Sequence, residues 1–262
     1  MQQDDRKAVE RTLHDHLRGV GQDDPTYNSN KKYYSISRLN EDHVQSWLVQ
    51  RCAAKKVLDY CCGNGHQALW LADHGAVACG IDISPISIDN ARREAERRGL
   101  SDLATFQVMD AEATDFADNT FDLIVINGVL HHLDLDRAYQ ELARILKSNG
   151  LIIATEALRH NPLIHWYRKL TPHLRSEWET EHILGREEIF SASRYFGEVR
   201  VERFFHLATL GAVPFRNLSL FTPVLKTLQT VDTALLRLPW LRWQSWMAVF
   251  VLGQPLRPKP SA

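Results

Sequence analysis

The stretch Asp59–Gly65 gathers groups that could bind a ligand: one carboxylate, two adjacent cysteines and two glycines. The apolar residues directly before it are typical of a short buried strand, and those between His66 and His74 recur at helical spacing. Gly63 and Gly65 allow a tight turn and let a ligand approach the backbone closely. The pattern therefore predicts a strand, a glycine turn and a helix, which together open a nucleotide-binding α/β unit.

The spacing of Gly63, Gly65 and Ala68 also fits the fingerprint of a dinucleotide-binding loop. Asp59 argues against that interpretation, because a carboxylate at the tip of the first strand would repel a diphosphate in a partly dry site. The same carboxylate would attract a cation. S-adenosylmethionine carries an ammonium and a sulfonium and no phosphate, so the loop favours this cofactor over NAD. An alternative role for Asp59 is that of a turn residue that hydrogen-bonds its own backbone.

The loop resembles the first motif of the class I S-adenosylmethionine-dependent methyltransferases that act on small molecules, Asp/Glu-x-Gly-x-Gly-x-Gly. The sequence departs from this motif at Cys61, which stands where the family has its first glycine. Since cysteine carries a Cβ, we expect that Cys61 lies in the cofactor loop without needing a left-handed backbone. The resemblance implies a Rossmann-like α/β fold, with a seven-stranded, mostly parallel sheet, an antiparallel last strand, helices on both faces and helical lid elements. At the level of motifs it covers residues 55–156.

Further predicted cofactor contacts follow the second, third and fourth strands. Asp82 is placed at the tip of the second strand, where it could accept the ribose hydroxyls, with Ile83 beside it. Asp82 could also cap the next helix, a role for which Ser84 competes. The resemblance implies additional contacts to the adenine and to the methionine end of the cofactor, from Asp110, Ala111, Asn127 and Gly128.

The N-terminal segment is predicted to be helical and to lie near this site. Residues 4–17 have helical periodicity, with Val9 on the buried stripe. Tyr33 and Tyr34 follow two lysines and could close over the cofactor, or they could pack at a domain edge. Because an N-terminal segment often caps the site in related methyltransferases, the resemblance favours the first interpretation.

Methyl transfer is an in-line displacement at carbon, so the protein mainly has to orient the reactants. A general base helps when the nucleophile is a hydroxyl or an acidic carbon. The candidates follow the fourth and fifth strands and are His132, Glu156 and His160. A second interpretation of His132 is that it stabilises the backbone of its loop. The spacing of the other histidines matches no standard metal site, and no metal is predicted.

Residues 208–244 are rich in leucine and carry four basic residues against one acid, Asp232. The plainest interpretation is a helical lid that buries its own leucines. Alternatively, the region forms the wall of an apolar acceptor pocket, or a face that rests on a membrane surface. We therefore expect a small, fairly apolar acceptor, such as an aromatic, polyketide or isoprenoid-like metabolite.

Composition narrows the remaining classes. The net charge is −1, and no basic stripe with interleaved aromatic residues suggests a nucleic acid partner. The four cysteines are not spaced as a disulfide framework, and the N-terminus has no apolar signal core, so a cytoplasmic protein is expected. Two alternatives stay open: an NAD-dependent oxidoreductase and a non-catalytic scaffold that keeps the cofactor fold.

The predicted organisation is one catalytic domain with additions. It comprises an N-terminal helical cap at 1–54, a methyltransferase domain at 55–254 with lid insertions at 156–185 and 208–244, and a flexible tail at 255–262.

Overall fold

The computed structural model describes residues 6–12, 15, 31–171, 178 and 181–257, with the backbone alone for 31–34. Within these residues, seven strands form one sheet in the order β3-β2-β1-β4-β5-β7-β6. The first five strands are parallel to one another, and β7 is antiparallel to both β5 and β6, which confirms the predicted fold. The strands are β1 (Lys56–Tyr60), β2 (Val77–Asp82), β3 (Ala104–Val108), β4 (Phe121–Asn127), β5 (Leu146–Ala157), β6 (Phe196–Phe205) and β7 (Met247–Pro255).

Helices connect β1 to β2, β2 to β3 and β4 to β5, a loop joins β3 to β4, and helices cover both faces of the sheet. They are α1 (Lys31–Val49), α2 (His66–Asp73), α3 (Pro85–Arg98), α4 (Leu135–Ile145), α5 (Pro162–Leu170), α6 (Arg186–Ser191), α7 (Phe221–Leu235) and α8 (Pro239–Arg242). Short 3-10 turns lie at Leu130–His132, Ala192–Arg194 and Thr209–Phe215. A short N-terminal helix, residues 6–12, precedes them. No helix among the described residues combines the length and the apolar character needed to cross a membrane.

The central strands are buried on both faces, as expected for a parallel sheet covered by helices. In β4, Leu123 and Val125 pack with α2 and α3, while the alternate residues Ile124 and Ile126 pack with α4 on the other face. All four side chains are at most 5% exposed. Because neither face of the strand meets solvent here, residues 123–126 form a continuous apolar run in the sequence and do not alternate with polar residues.

Ser84 is the residue that caps α3. Its hydroxyl accepts a hydrogen bond from the Ser87 N–H at 3.1 Å, and Pro85 occupies the first helical position. Asp82 is therefore not needed for the cap and remains at the carboxyl end of β2. This edge of a parallel sheet is where ligands of open α/β folds bind.

The region 208–244 forms a helical layer that packs on α1 and α5. Its half-buried residues from α7, such as Phe221 and Leu228, contact Ile36, Ile164 and Leu210. The Asp232 carboxylate accepts hydrogen bonds from two backbone N–H groups and one hydroxyl of the preceding turn. The region thus buries only part of its apolar surface, and several of its leucine side chains are exposed to solvent.

The C-terminal boundary differs slightly from the predicted one. Pro255 belongs to β7, and the next two residues are also held, since the Leu256 N–H donates to Tyr195 O and Arg257 donates to Leu146 O. The predicted flexible tail at 255–262 is therefore wrong for 255–257. Residues 258–262 lie outside the described part.

Candidate functional site

A cavity of about 580 Å³ opens at the carboxyl ends of β1, β2 and β4. The structure brings most of the predicted site residues to its wall. These are Asp59, Cys61, Gly63, Asp82, Ile83, Asp110, Ala111, Asn127, Gly128 and His132. Tyr33 and Tyr34 lie in the first turn of α1, but their side chains are outside the described residues.

Asp59 lies on β1 at the cavity wall and is only 4% exposed. One of its carboxylate oxygens accepts a hydrogen bond from the Ala68 N–H at 3.0 Å. Burial raises the pKa of Asp59 to about 7, and the nearby charge of Asp82 acts in the same direction, while the Ala68 N–H opposes both. A cation in the cavity would therefore stabilise the ionised carboxylate.

The glycine turn has a more strained backbone than expected. Cys61 has φ of 59°, so the prediction that this position avoids the left-handed region is wrong. A non-glycine residue there costs about 1–2 kcal/mol. The turn is held from the neighbouring strand, because the Cys62 N–H donates to Ile81 O at 2.8 Å and the Gly63 N–H donates to the Asp82 carboxylate at 2.9 Å. These two bonds compensate for the strain at Cys61.

Gly65 is not among the residues that line the cavity, and its contact with the cofactor stays a prediction. It precedes α2 with φ of 75°, and a Cβ at this position would lie 2.5 Å from the Phe106 ring and 2.8 Å from the Ala91 side chain. Only glycine allows α2 to approach the sheet and α3 this closely. Its role is therefore in packing the loop against the core.

Asp82 and Asp110 both hold backbone donors through their carboxylate oxygens. One Asp82 oxygen binds the Gly63 N–H, and the other binds the Ser84 N–H at 2.9 Å. Asp110 accepts from the Glu112 N–H at 2.9 Å through one oxygen, and its second oxygen lies 2.5 Å from Lys7 Nζ. Both carboxylates keep lone-pair positions for further donors, since a carboxylate offers about four.

The N-terminal helix contributes a part of the wall that the sequence did not predict. Arg6, Lys7 and Glu10 line the cavity, and Arg6 forms a buried ion pair with Glu112. Val9, predicted to be buried, is 48% exposed. Arg6 and Glu10, one helical turn apart, face inward instead. The only signal was this pair of opposite charges at i and i+4, which normally indicates a solvated face.

Lys7 is held between two carboxylates at the mouth of the cavity. Its Nζ lies 3.1 Å from the Glu112 carboxylate, in addition to the Asp110 contact. Burial acts to lower the pKa of Lys7, but the hydrogen bonds with Asp110 and Glu112 outweigh it and raise this pKa. Lys7 is thus charged and paired, and it ties the N-terminal helix to the loop after β3.

His132 lies in the turn after β4 and also lines the cavity. Its Nδ1 lies 3.1 Å from a carboxylate oxygen of Glu10. Glu41 and Gln45, one turn apart on α1, line the same cavity, as does Gln67 from α2. Gln67 Nε2 is buried and has no hydrogen-bond partner among the described residues. A buried donor of this kind is expected to have a ligand as its partner.

Glu156 does not reach the cavity, so the structure does not support its predicted role as a base. Its side chain is fully buried under the turn after β4. One carboxylate oxygen accepts from the Val129 and Leu130 N–H groups, both at 2.7 Å, and the other lies 2.8 Å from His131 Nδ1. Glu156 therefore holds the turn that presents His132.

His160 is also absent from the cavity wall, so the structure does not support its predicted role as a base. It is exposed and lies beside Gly185, at the start of α6. Burial and the charge of Arg159 lower the pKa of His160. Residues 208–244 contribute none of the described residues that line this cavity, and their role as a wall of the acceptor pocket stays a prediction.

The charges around the cavity favour a cationic ligand. Among the described residues, six carboxylates and the basic side chains of Arg6 and Lys7 line it, and both basic groups are already paired with carboxylates. A diphosphate would meet net repulsion here, whereas an ammonium would be attracted. The buried Asp59 carboxylate and the buried Gln67 donor fit the amino-acid end of S-adenosylmethionine. No group of three or more metal-ligating side chains is present in the described part of the chain.

Comparisons with known proteins agree with this chemistry. A family model described as "Methyltransferase domain" matches residues 58–154. Methyltransferase GfsG of Streptomyces halstedii is 38% identical over 110 residues, which are 41% of this chain and 40% of GfsG. The chain thus matches less than half the length of that relative. Aklanonic acid methyltransferase DauC of Streptomyces sp. (strain C5) is 33% identical over 154 residues, which are 53% of this chain and 69% of DauC.

The fold also has close counterparts among solved structures. The geranyl diphosphate C-methyltransferase from Streptomyces coelicolor A3(2) superposes with a TM-score of 0.56 at 16% identity, over 88% of this chain and 86% of the other. At this identity the likeness concerns the fold alone. DauC provides the stronger link, because it is matched over more than two thirds of its length. Together with the strand order and the anionic cavity, this match places the chain in the class I S-adenosylmethionine-dependent methyltransferases.

Proposed function

We propose that this protein transfers a methyl group from S-adenosylmethionine to a small-molecule acceptor by in-line displacement. The observation that carries the proposal is the buried Asp59 carboxylate on the wall of a cavity that is anionic overall. The cofactor, when bound, supplies a methyl group on a sulfonium and leaves as a neutral thioether. Asp59 and Gln67 would hold its amino-acid end, and the remaining cofactor contacts would come from Cys61, Gly63, Asp82, Ile83, Asp110, Ala111, Asn127 and Gly128.

The proposed acceptor is a small, fairly apolar metabolite of aromatic, polyketide or isoprenoid type. Val129 and Leu133 supply apolar surface next to His132, which is the proposed general base. DauC is named for aklanonic acid, and the Streptomyces coelicolor enzyme was solved in complex with geranyl diphosphate. We infer the acceptor class from the cavity and from these two relatives together.

We also propose that residues 1–54 form a cap on the methyltransferase domain at 55–254.

The test is a comparison of two ligands by thermal unfolding. We expect S-adenosylhomocysteine at about 100 times its Kd to stabilise the protein by about 3 kcal/mol, a rise in melting temperature of roughly 5–10 °C. NAD at the same concentration should have no effect, because its diphosphate meets the carboxylates. A rise with NAD alone would favour the oxidoreductase, and no response to either ligand would favour a scaffold.

Cofactor affinity is expected to rise several-fold between pH 6 and pH 7.5. With a pKa of about 7 in the free protein, Asp59 is mostly protonated at pH 6 and mostly ionised at pH 7.5. The ammonium of the ligand pairs with the ionised carboxylate of Asp59. At pH 6 the carboxyl must first lose its proton, which weakens binding, whereas at pH 7.5 it is already ionised. Titration calorimetry with S-adenosylhomocysteine measures this dependence. Affinity that stays constant or falls over this interval would show that Asp59 does not pair with the ligand.

We also propose that the outer face of 208–244 contacts an anionic membrane surface. Trp240 is 69% exposed, and Leu218, Leu220 and Leu238 are exposed by 56%, 56% and 41%. The single acid of the region, Asp232, is buried and hydrogen-bonded. The exposed charges are therefore all positive, from Arg216, Lys226, Arg237 and Arg242. Apolar side chains beside basic residues fit a surface of anionic lipid.

Vesicle sedimentation tests this contact. Wild-type protein should bind vesicles that contain phosphatidylglycerol, and W240E should bind about tenfold more weakly, because it loses an indole that would enter the lipid surface and gains a charge that the anionic lipid repels. The control L103E adds the same charge at an exposed leucine outside 208–244 and should bind like the wild type. Equal binding by W240E and the wild type would refute the contact.

A further inference from the structure

Two histidine–glutamate pairs lie side by side in the turn after β4. His131 Nδ1 is hydrogen-bonded to Glu156 at 2.8 Å, whereas His132 Nδ1 lies 3.1 Å from the Glu10 carboxylate without the alignment of a hydrogen bond. The centroids of the two imidazole rings are 4.2 Å apart. The first pair is buried and away from the cavity, whereas both members of the second line it. The two pairs therefore have different roles, although both combine an imidazole with a carboxylate.

The second pair joins segments that are far apart in the chain. Glu10 belongs to the N-terminal helix and is 7% exposed. The same helix is fixed to the His132 turn by Arg6, whose guanidinium donates to His132 O at 3.2 Å and pairs with Glu112. Glu112 in turn accepts from the Asp134 N–H at 2.8 Å. These contacts set the position of Glu10 relative to the ring independently of the Glu10–His132 contact itself.

The arrangement decides which nitrogen of His132 can accept a proton. A carboxylate beside Nδ1 favours the tautomer that carries its proton there, which leaves Nε2 with a lone pair. Among the described residues, the charged and titratable groups in contact with His132 are Glu10, His131 and Arg6, and Arg6 is already paired with Glu112. Glu10 is thus the carboxylate placed to stabilise an imidazolium at His132.

We propose that Glu10 is a positioning residue that holds His132 as a general base, and that the acceptor nucleophile is therefore a hydroxyl or enol rather than a tertiary amine or a thioether. This inference rests on the proposed function. In the step, the acceptor oxygen forms a bond to the methyl carbon, and the electrons of the broken carbon–sulfur bond stay on sulfur. The hydroxyl proton moves to Nε2 of His132, and Glu10 balances the new charge.

The first test is spectroscopic and needs no acceptor. Nitrogen-15 shifts of His132 in the full chain, with S-adenosylhomocysteine bound, report which ring nitrogen carries the proton. We expect the Nδ1–H tautomer to dominate in the wild type and its share to fall several-fold in E10L. R11Q, which changes an exposed residue of the same helix, should match the wild type. An unchanged tautomer in E10L would overturn the role of Glu10.

The second test is kinetic, with a hydroxynaphthoquinone as the hydroxyl probe and a tertiary arylamine as the proton-free probe. We expect turnover of the first probe only, with kcat reduced at least about tenfold in E10L, KM within about threefold, and partial recovery in E10D. Turnover of the amine alone, or a loss confined to KM, would overturn the inference. S-adenosylhomocysteine binding is measured on the same samples to separate failure of this inference from failure of the proposed function. If the wild type does not bind S-adenosylhomocysteine, it is the proposed function that fails.

Discussion

Replacing Asp59 with asparagine is expected to weaken S-adenosylhomocysteine binding by about 10- to 100-fold at pH 8, while the ligand-free protein becomes more stable. The loss follows from removing a buried charge that pairs with the ligand ammonium, a contact of about 1.5–3 kcal/mol. Asparagine keeps an oxygen acceptor for the Ala68 N–H, so the loop geometry is retained. Titration calorimetry on wild type and D59N measures the first effect.

The gain in stability has a defined pH window. The folded-state pKa of Asp59 is raised to about 7, above its value in an unfolded chain, so the folded state binds the extra proton. The free energy of unfolding therefore falls as pH rises from about 4 to about 7, and the full cost of burying the ionised Asp59 carboxylate is present at pH 8. D59N removes that cost, and we expect a gain of about 1–3 kcal/mol in the free energy of unfolding at pH 8.

The exposed Asp102 provides a matched control for this experiment. D102N makes the same chemical change without burial, and both affinity and melting temperature should stay at the wild-type values. The two effects of D59N are expected together: weaker binding with a higher melting temperature. D59N that binds the ligand normally would show that the carboxylate has no ligand partner, and the reason for preferring this cofactor over NAD would be lost.

Replacing Glu156 with alanine is expected to lower the free energy of unfolding by about 3–5 kcal/mol. The change leaves the Val129 and Leu130 N–H groups and the His131 ring without their buried acceptor. Each unsatisfied donor costs about 1–3 kcal/mol, and the costs are not fully additive. Urea unfolding with a constant m-value measures the difference.

Two variants calibrate this result. E156Q keeps one acceptor oxygen and should lose about half as much stability, because one carboxylate oxygen serves both backbone donors in the wild type. E96A, at an exposed position of α3, should stay within about 0.5 kcal/mol of the wild type. If E156A unfolded like the wild type, the turn that presents His132 would be held by other contacts, and the structural role assigned to Glu156 would be incorrect.

The sequence by itself determined the sheet and most of one ligand pocket. Strands such as β4 contain unbroken apolar runs, here residues 123–126, and a carboxylate, amide or glycine follows such a run, so the chain shows both the type of each element and the point where it ends. In a parallel sheet the carboxyl ends meet at one edge, which brings Asp59, Asp82 and Asn127 together without any further information.

The tertiary structure decided which side chains of the later loops face the cavity. Glu156 lies near the end of β5 and His132 follows β4, yet Glu156 is held beneath the loop by two backbone donors and His132 faces the pocket. The only local signal at Glu10, its i,i+4 charge pair with Arg6, indicates a solvated face, and its partner His132 is more than a hundred residues away. The hydrophobic periodicity of a segment indicates whether it is a helix or a strand and which of its faces is buried. A contact between distant segments depends on how the elements dock, and that is set by packing and charge pairing in three dimensions.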